Sequence, residues 1–105
     1  MIELTKENFV EEVLKADKPV IVDFWGPKCS PCLALLPQVE ALAKKYEGRI
    51  KFCKLDTSAN RRLAISQKVI GLPTIILYKN GDKVKELSGN ISGEQIEEMI
   101  KAVLS

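Results

Sequence analysis

The segment Val20–Trp25, VIVDFW, constrains the fold more than any other part of the chain. Five of its six residues are apolar and the only polar one is Asp23, so apolar and polar positions do not alternate. Such a run is typical of a strand that is buried on both faces, which requires helices on both sides of a sheet. We therefore expect an α/β protein with Val20–Trp25 in a central strand.

The rest of the chain alternates strand and helix patterns around this run. Further strands are predicted at 2–4, 50–56, 74–79 and 83–88, and helices at 5–15, 31–48, 61–68 and from Ser92 onward. The predicted order is βαβαβαββα, a central mixed five-stranded sheet flanked by four helices. Strands separated by helices are expected to pair in parallel, whereas the dipeptide Asn80-Gly81 predicts a tight antiparallel hairpin.

Helix ends are marked by capping residues. Thr5 is expected to cap the first helix, and Pro31 suits the first position of the second helix. Ser92 and Gln95 form the pattern of a capping box before the last helix. The expected buried face of the first helix consists of Phe9, Val10, Val13 and Leu14.

Length and composition limit the class of protein. A chain of 105 residues is expected to form one domain, residues 1–105. The net charge is +2 and the charges are interspersed, which argues against a nucleic-acid-binding stripe or a polybasic membrane anchor. No apolar run approaches the roughly 20 residues of a membrane span, and the N-terminus MIELTKENF lacks a signal-peptide pattern. The expected location is the cytoplasm, where a disulfide is more often catalytic than structural.

Two cysteines three residues apart, Cys29 and Cys32, follow the central strand. With three cysteines and no histidine, one chain cannot supply a Cys₄ or Cys₂His₂ metal site or a Cys-His nucleophile. The helix N-terminus and the neighbouring Lys28 should stabilise the Cys29 thiolate and lower its pKa. Cys32 lies one helical turn later and can attack a mixed disulfide formed at Cys29. A purely structural disulfide is disfavoured, because so short a loop constrains the chain very little.

Asp23 is the one ionisable residue of the central strand. Alternation places it on the face of Ile21 and Trp25, where burial should raise its pKa. It can be a general base for Cys32, or a structural carboxylate satisfied by a lysine or by backbone donors. Lys54 in the third strand is the candidate partner, although a lysine there can also extend to the surface.

Two further features have a structural interpretation. Cys53 is interpreted as a small buried apolar residue rather than a redox group. The segment Gly71-Leu-Pro-Thr74 is consistent with a simple strand entry, and the residues alone favour a trans bond before Pro73.

Seven segments together resemble the thioredoxin family over essentially the whole chain. They are Val22–Trp25, Cys29–Cys32, Pro37, Lys54–Asp56, Ile70–Thr74, Tyr78–Gly81 and Ser88–Gly89. The resemblance implies a thioredoxin fold and a thiol-disulfide oxidoreductase that reduces protein disulfides. It implies no cofactor or metal besides the redox-active disulfide Cys29–Cys32. The implied partners are disulfide-containing proteins and a flavin-dependent thioredoxin reductase that reduces the disulfide back to the dithiol. We expect the protein to be a monomer.

The resemblance also implies a role for each site residue. Cys29 is the attacking thiolate and Cys32 the resolving thiol, while Asp23 is a buried base that Lys54 tunes. Pro73 is expected to be cis and to pack against the disulfide, with the backbone of Leu72 hydrogen-bonded to an extended substrate. The implied substrate-binding surface comprises Trp25, Lys28, Ser30, Pro31, Gly71, Leu72 and Gly89.

The sequence departs from the family pattern beside the cysteines. Lys28 and Ser30 stand where the family usually has Trp and Gly, and Leu33 stands where a basic residue is common. The segments 35–48 and 61–75 are similar to divergent thioredoxins of amino-acid-fermenting anaerobic bacteria, which work beside selenium-dependent amino-acid reductases. Because Lys28 stabilises the thiolate, an alternative function is a more oxidising isomerase or a specialised electron donor to an anaerobic reductase. A further alternative is a binding module or metal carrier in which two chains share their CxxC pairs.

Overall fold

A computed structural model describes residues 1–105 and contains five strands and four helical segments. The strands are β1 (Ile2–Glu3), β2 (Val20–Trp25), β3 (Lys51–Asp56), β4 (Thr74–Lys79) and β5 (Asp82–Ser88). The helical segments are a π-helical segment (Val10–Leu14), α1 (Ser30–Lys45), α2 (Arg61–Ser66) and α3 (Gly93–Leu104). The order confirms the predicted α/β arrangement. No helix has both the length and the apolar character needed to cross a membrane.

The sheet has the order β1-β3-β2-β4-β5, so β2 is central as predicted. β3 runs parallel to β1 and to β2, whereas β4 is antiparallel to both β2 and β5. The expectation that β4 would pair in parallel is wrong. The helix before it, α2, is only six residues, or about 9 Å, long, whereas a six-residue strand spans about 20 Å. A helix of this length does not span the sheet by itself, and the connection stays at the end of the sheet where β3 finishes, so that Thr74 pairs with Phe24.

The first helix is much shorter than the predicted 5–15. The N–H group of Lys15 reaches back five residues to the carbonyl of Val10, at 2.9 Å, which is π-helical spacing. Thr5 Oγ1 accepts from the N–H group of Glu7 at 3.2 Å, so it caps a turn ahead of the helical segment. The predicted face is partly wrong, since Val10 is 48% exposed.

The sheet is covered on both faces by helices. One core lies between the sheet and helices α1 and α3; its members are Ile21, Leu35, Val39, Leu42, Tyr46, Ile50, Phe52, Ile75, Leu77, Ile96, Met99 and Ile100. The other core lies under the π-helical segment and α2; its members are Leu4, Phe9, Val13, Val20, Val22, Phe24, Cys53, Leu55, Ala64, Ile76 and Tyr78. The two-sided burial of β2 explains why its sequence is almost uninterruptedly apolar.

The predicted hairpin turn and the predicted cap of the last helix are confirmed, whereas Pro31 is the second residue of its helix rather than the first. Asn80 and Gly81 both have positive φ, 54° and 84°, which is the backbone of a tight hairpin turn. Ser92 caps α3 and forms a reciprocal capping box with Gln95. Pro31 lies in the first turn of α1, where its missing N–H group costs no hydrogen bond.

Candidate active site

A disulfide joins Cys29 to Cys32 where α1 begins, with a Cα–Cα distance of 5.3 Å. Cys29 is the N-cap of α1, and its Sγ accepts a hydrogen bond of 3.2 Å from the N–H group of Cys32. The two residues differ in access to solvent, since Cys29 is partly exposed and Cys32 is only 2% exposed. One sulfur therefore lies within reach of a large partner, while the other is shielded by the fold.

Asp23 lies beneath the start of α1. Its strand neighbour Ile21, two residues earlier, packs in the same core as Leu35 of α1, so alternation places Asp23 on the face that α1 covers. Cys32 precedes Leu35 by one helical turn and is buried on the same stripe of α1. Asp23 and Cys32 therefore face the same layer between the sheet and the helix.

Burial dominates the electrostatics of Asp23. Its side chain is 1% exposed, and neither carboxylate oxygen has a hydrogen-bond partner in the chain. Desolvation raises the pKa of Asp23 from 3.8 to about 7, and the positive charge of Lys54 opposes the rise. The carboxyl group can therefore both accept and release a proton near neutral pH.

Lys54 is close to Asp23 in the sheet but does not contact its carboxylate. The two residues are register partners across β2 and β3. Lys54 forms none of the four ion pairs of the chain, and its Nζ lies 5.7 Å from the ring centroid of Trp25. Lys54 thus acts on Asp23 through its charge alone, while its ammonium group lies over the indole.

Thr57 and Gly26 support the junction between β2 and α1, and Thr57 was not predicted from the sequence. The carbonyl of Trp25 accepts from the Thr57 N–H group at 2.9 Å and from Thr57 Oγ1 at 3.1 Å. A Cβ atom on Gly26 would lie 3.3 Å from Leu72 Cδ1, so the close approach of the two loops favours glycine. The dipeptide Gly26-Pro27 was a usable turn signal, whereas a threonine after a strand carries no distinctive one.

The segment before β4 lies at the same end of the sheet as the disulfide. The Leu72–Pro73 peptide bond is cis, as the resemblance implies. Buried Thr74 donates from Oγ1 to the carbonyl of Gly71 at 2.6 Å, and the N–H group of Gly89 donates to the carbonyl of Pro73 at 3.2 Å. The N–H and C=O groups of Leu72, between these residues, form no backbone hydrogen bond.

A shallow groove runs beside the disulfide and collects several residues singled out in the sequence. It is lined by Pro31, Ala34, Leu35, Gln38, Leu72, Pro73, Gly89, Asn90 and Ile91. Lys28, Ser30 and Gly71 lie exposed at the same end of the sheet, and Trp25 is half-buried there. Asp23 and Lys54 lie further inside, on the strands.

Comparison with known proteins identifies the family. The sequence model described as thioredoxin matches residues 1–102. The chain belongs to the thioredoxin family. It is 52% identical over 101 residues to thioredoxin of Peptoclostridium acidaminophilum, covering 95% of this chain and 92% of that protein.

Two further relatives carry the same name. Thioredoxin of Acetoanaerobium sticklandii is 46% identical over 102 residues, covering 96% of this chain and 97% of that protein. Thioredoxin 1 of a Nostoc species is 39% identical over 89 residues, covering 85% of this chain and 83% of that protein. Peptoclostridium and Acetoanaerobium are amino-acid-fermenting anaerobes, so the narrower resemblance drawn from the sequence is confirmed.

Family membership defines the activity of the site. The chain is a thioredoxin-family protein-disulfide reductase whose CxxC pair is Cys29 and Cys32. The third cysteine, Cys53, is unpaired and fully buried in the core under the π-helical segment. Burial raises the pKa of its thiol to about 12, so the thiolate needed for exchange is scarce at neutral pH. Its interpretation as a small buried apolar residue agrees with this environment.

Proposed function

We propose that Cys29 is the attacking nucleophile of this reductase and Cys32 the resolving thiol. The observation that carries the assignment is the unequal exposure of the two residues, because a folded substrate can reach Cys29 but not Cys32. The position of Cys29 as N-cap supports it further. Backbone N–H groups at the start of α1, including that of Cys32, favour an anionic sulfur there.

The proposed reaction moves two electrons in two exchange steps. The Cys29 thiolate attacks one sulfur of the substrate disulfide, and the other substrate sulfur leaves as a thiolate that takes a proton from water. Cys32 then loses its proton and attacks Cys29 Sγ, which releases the second substrate sulfur as a thiol. The dithiol ends as the Cys29–Cys32 disulfide, and the substrate ends as two thiols.

We assign to Asp23 the role of base in the second step. Its carboxyl group is buried on the face that α1 covers, and its pKa of about 7 suits proton transfer at neutral pH. Lys54 would tune this base through its charge, because it lowers the pKa that burial raises. A nearly dry carboxylate is also a stronger proton acceptor than an exposed one.

Substrate docking is proposed at the groove beside the disulfide. The unpaired N–H and C=O groups of Leu72 offer an extended peptide two backbone hydrogen bonds. The apolar lining next to Leu72 would accept the side chains of that peptide. The proposed surface consists of Trp25, Lys28, Ser30, Pro31, Gly71, Leu72, Pro73 and Gly89.

The partners follow from the direction of the reaction. Turnover requires an external dithiol or reductase, and family membership supports a flavin-dependent thioredoxin reductase in this role. The substrates are proteins with accessible disulfides. We place the protein in the cytoplasm as a monomer, where reduced thiols are maintained.

Reduction of insulin disulfides by serine variants tests the assignment. Cys29→Ser should lose turnover completely, whereas Cys32→Ser should still attack and should accumulate a mixed disulfide that mass spectrometry detects. Cys53→Ser is the matched control and should keep turnover, since Cys53 is buried away from the disulfide. Turnover by Cys29→Ser would contradict the assignment. A mixed disulfide between a substrate and Cys32 in that variant would contradict it too.

A further inference from the structure

The loops around the disulfide are almost free of charge. Four segments meet at this end of the sheet: 26–33 after β2, 57–60 after β3, 70–73 before β4 and 88–92 around the end of β5. Their only charged residue is Lys28, although 29% of the residues of the chain are charged. Lys28 is therefore the single cation of these loops, while the ammonium group of Lys54, on β3, lies over the Trp25 indole.

No acidic side chain neutralises Lys28. It is exposed and forms none of the ion pairs of the chain. Asp56, at the end of β3, is half-buried and already accepts from the N–H group and Oγ of Ser58, at 2.9 and 2.7 Å. Asp23 is buried beneath α1. The positive charge of Lys28 is thus available to an incoming partner.

Lys28 shares these segments with two exposed apolar side chains. Ile70 is 100% exposed and Leu33 is 47% exposed, and both lie in the segments around the disulfide. Such side chains give contact area to a partner but do not discriminate between charged partners. Within these four segments only Lys28 can discriminate between charged partners.

We propose that Lys28 is a specificity-determining residue that favours disulfide substrates with a carboxylate next to the attacked cysteine. The proposal rests on the assignment of Cys29 as nucleophile. In a disulfide the two Cα atoms lie only about 4–7 Å apart, so a mixed disulfide at Cys29 brings the neighbours of the substrate cysteine beside Lys28. An acidic neighbour then forms an ion pair, and a basic neighbour meets a like charge.

The expected preference is modest because Lys28 is exposed. Exposed ion pairs change binding equilibria by about two- to fivefold, and a repulsive neighbour adds a similar factor in the other direction. The effect should fade with added salt, since screening weakens interactions between exposed charges. This salt dependence separates a charge effect from a steric one.

Three peptides linked through a disulfide to a reporter thiol test the proposal; they differ only in having Glu, Gln or Lys beside the cysteine. The measurement is the second-order rate constant of reduction by the dithiol protein, at low and high salt. At low salt the native protein should reduce the Glu peptide about two- to fivefold faster than the Gln peptide and the Lys peptide most slowly. The three rates should converge at high salt.

Variants identify the residue responsible. Lys28→Gln should abolish the ranking and Lys28→Glu should reverse it, whereas Lys79→Gln, at the opposite end of the sheet, should keep it. If Lys28 affected only the reactivity of Cys29, Lys28→Gln would change the rate constants for all three peptides by the same factor. The ratios between the peptides would then be the same as in the native protein. Equal rates in the native protein, or a ranking that survives Lys28→Gln, overturn the proposal while the reductase assignment stands. Loss of the native protein's activity towards every peptide and towards insulin would overturn the assignment itself.

Discussion

Replacement of Asp23 by asparagine should make the protein more stable at alkaline pH. The carboxyl group is 1% exposed, and its two oxygens have no hydrogen-bond partner in the chain. An ionised group in such an environment is costly, because no donor replaces the lost water. Asparagine has nearly the same shape and never ionises, so Asp23→Asn removes this cost.

The magnitude follows from the change in pKa. Burial raises the pKa of Asp23 from 3.8 to about 7, and each pKa unit corresponds to about 1.4 kcal/mol, so the cost is at most about 4 kcal/mol. Below pH 3.8 the carboxyl group is protonated in both the folded and unfolded states and contributes no penalty. Between pH 3.8 and about 7 only the unfolded state releases the proton, so stability falls as pH rises.

Urea denaturation of the disulfide form measures this effect. The free energy of unfolding is determined for the native protein and for Asp23→Asn between about pH 4 and pH 9, a range that brackets both pKa values. The quantity of interest is the difference between the two proteins at each pH. A pH-independent cost of burying the amide shifts this difference by the same amount at every pH. The slope of the difference against pH therefore reports the titration of Asp23 alone.

The stability of Asp23→Asn relative to the native protein should rise across this range by up to about 4 kcal/mol. Asp17→Asn, which removes an exposed carboxylate just before β2, is the matched control for the loss of one carboxylate outside the core. A flat difference for Asp23→Asn would refute the account of Asp23 as a desolvated carboxyl group. A difference that falls with pH would show that hydrogen bonds or positive charges stabilise the carboxylate.

Two further substitutions test the surroundings. Lys54→Gln removes the charge that lowers the pKa of Asp23, so the midpoint of the Asp23 titration, followed by NMR, should move to higher pH; an unchanged midpoint would contradict this coupling. Ser92→Ala removes the side-chain oxygen that accepts from Gln95 N–H at 3.2 Å, and should lower the free energy of unfolding by about 1 kcal/mol. Urea denaturation checks this value, and unchanged stability would show that the capping box contributes nothing.

The parts of the fold that were predictable are those that local sequence determines. The run Val20–Trp25 requires cover on both faces of the sheet, and the structure provides it. Asn80-Gly81 has the two positive φ values of its turn, and Ser92 caps α3 as its spacing indicates. In each case a few neighbouring residues carry the information.

The parts that failed depend on side-chain hydrogen bonds that the apolar pattern does not reveal, some of them local and some between distant segments. The side chain of Asn8 binds the N–H group of Thr5 and the carbonyl of Glu3, at 2.8 and 3.0 Å, which favours a turn where the apolar pattern suggests a helix. Thr57 binds a carbonyl 32 residues earlier in the chain, and no local pattern marks such a contact. Asp23 was identifiable because a lone carboxylate in a buried strand is conspicuous in the sequence itself.

The direction of β4, which the sequence analysis missed, is what assembles the active site. Because β4 is antiparallel to β2, its first residue, Thr74, pairs with Phe24 near the end of β2. The Leu72–Pro73 segment consequently lies beside the start of α1, which follows the same end of β2. A parallel β4 would place that segment at the other end of the sheet, about 20 Å away for a strand of this length. The antiparallel direction of β4 thus brings the disulfide and its proposed docking groove to the same end of the sheet.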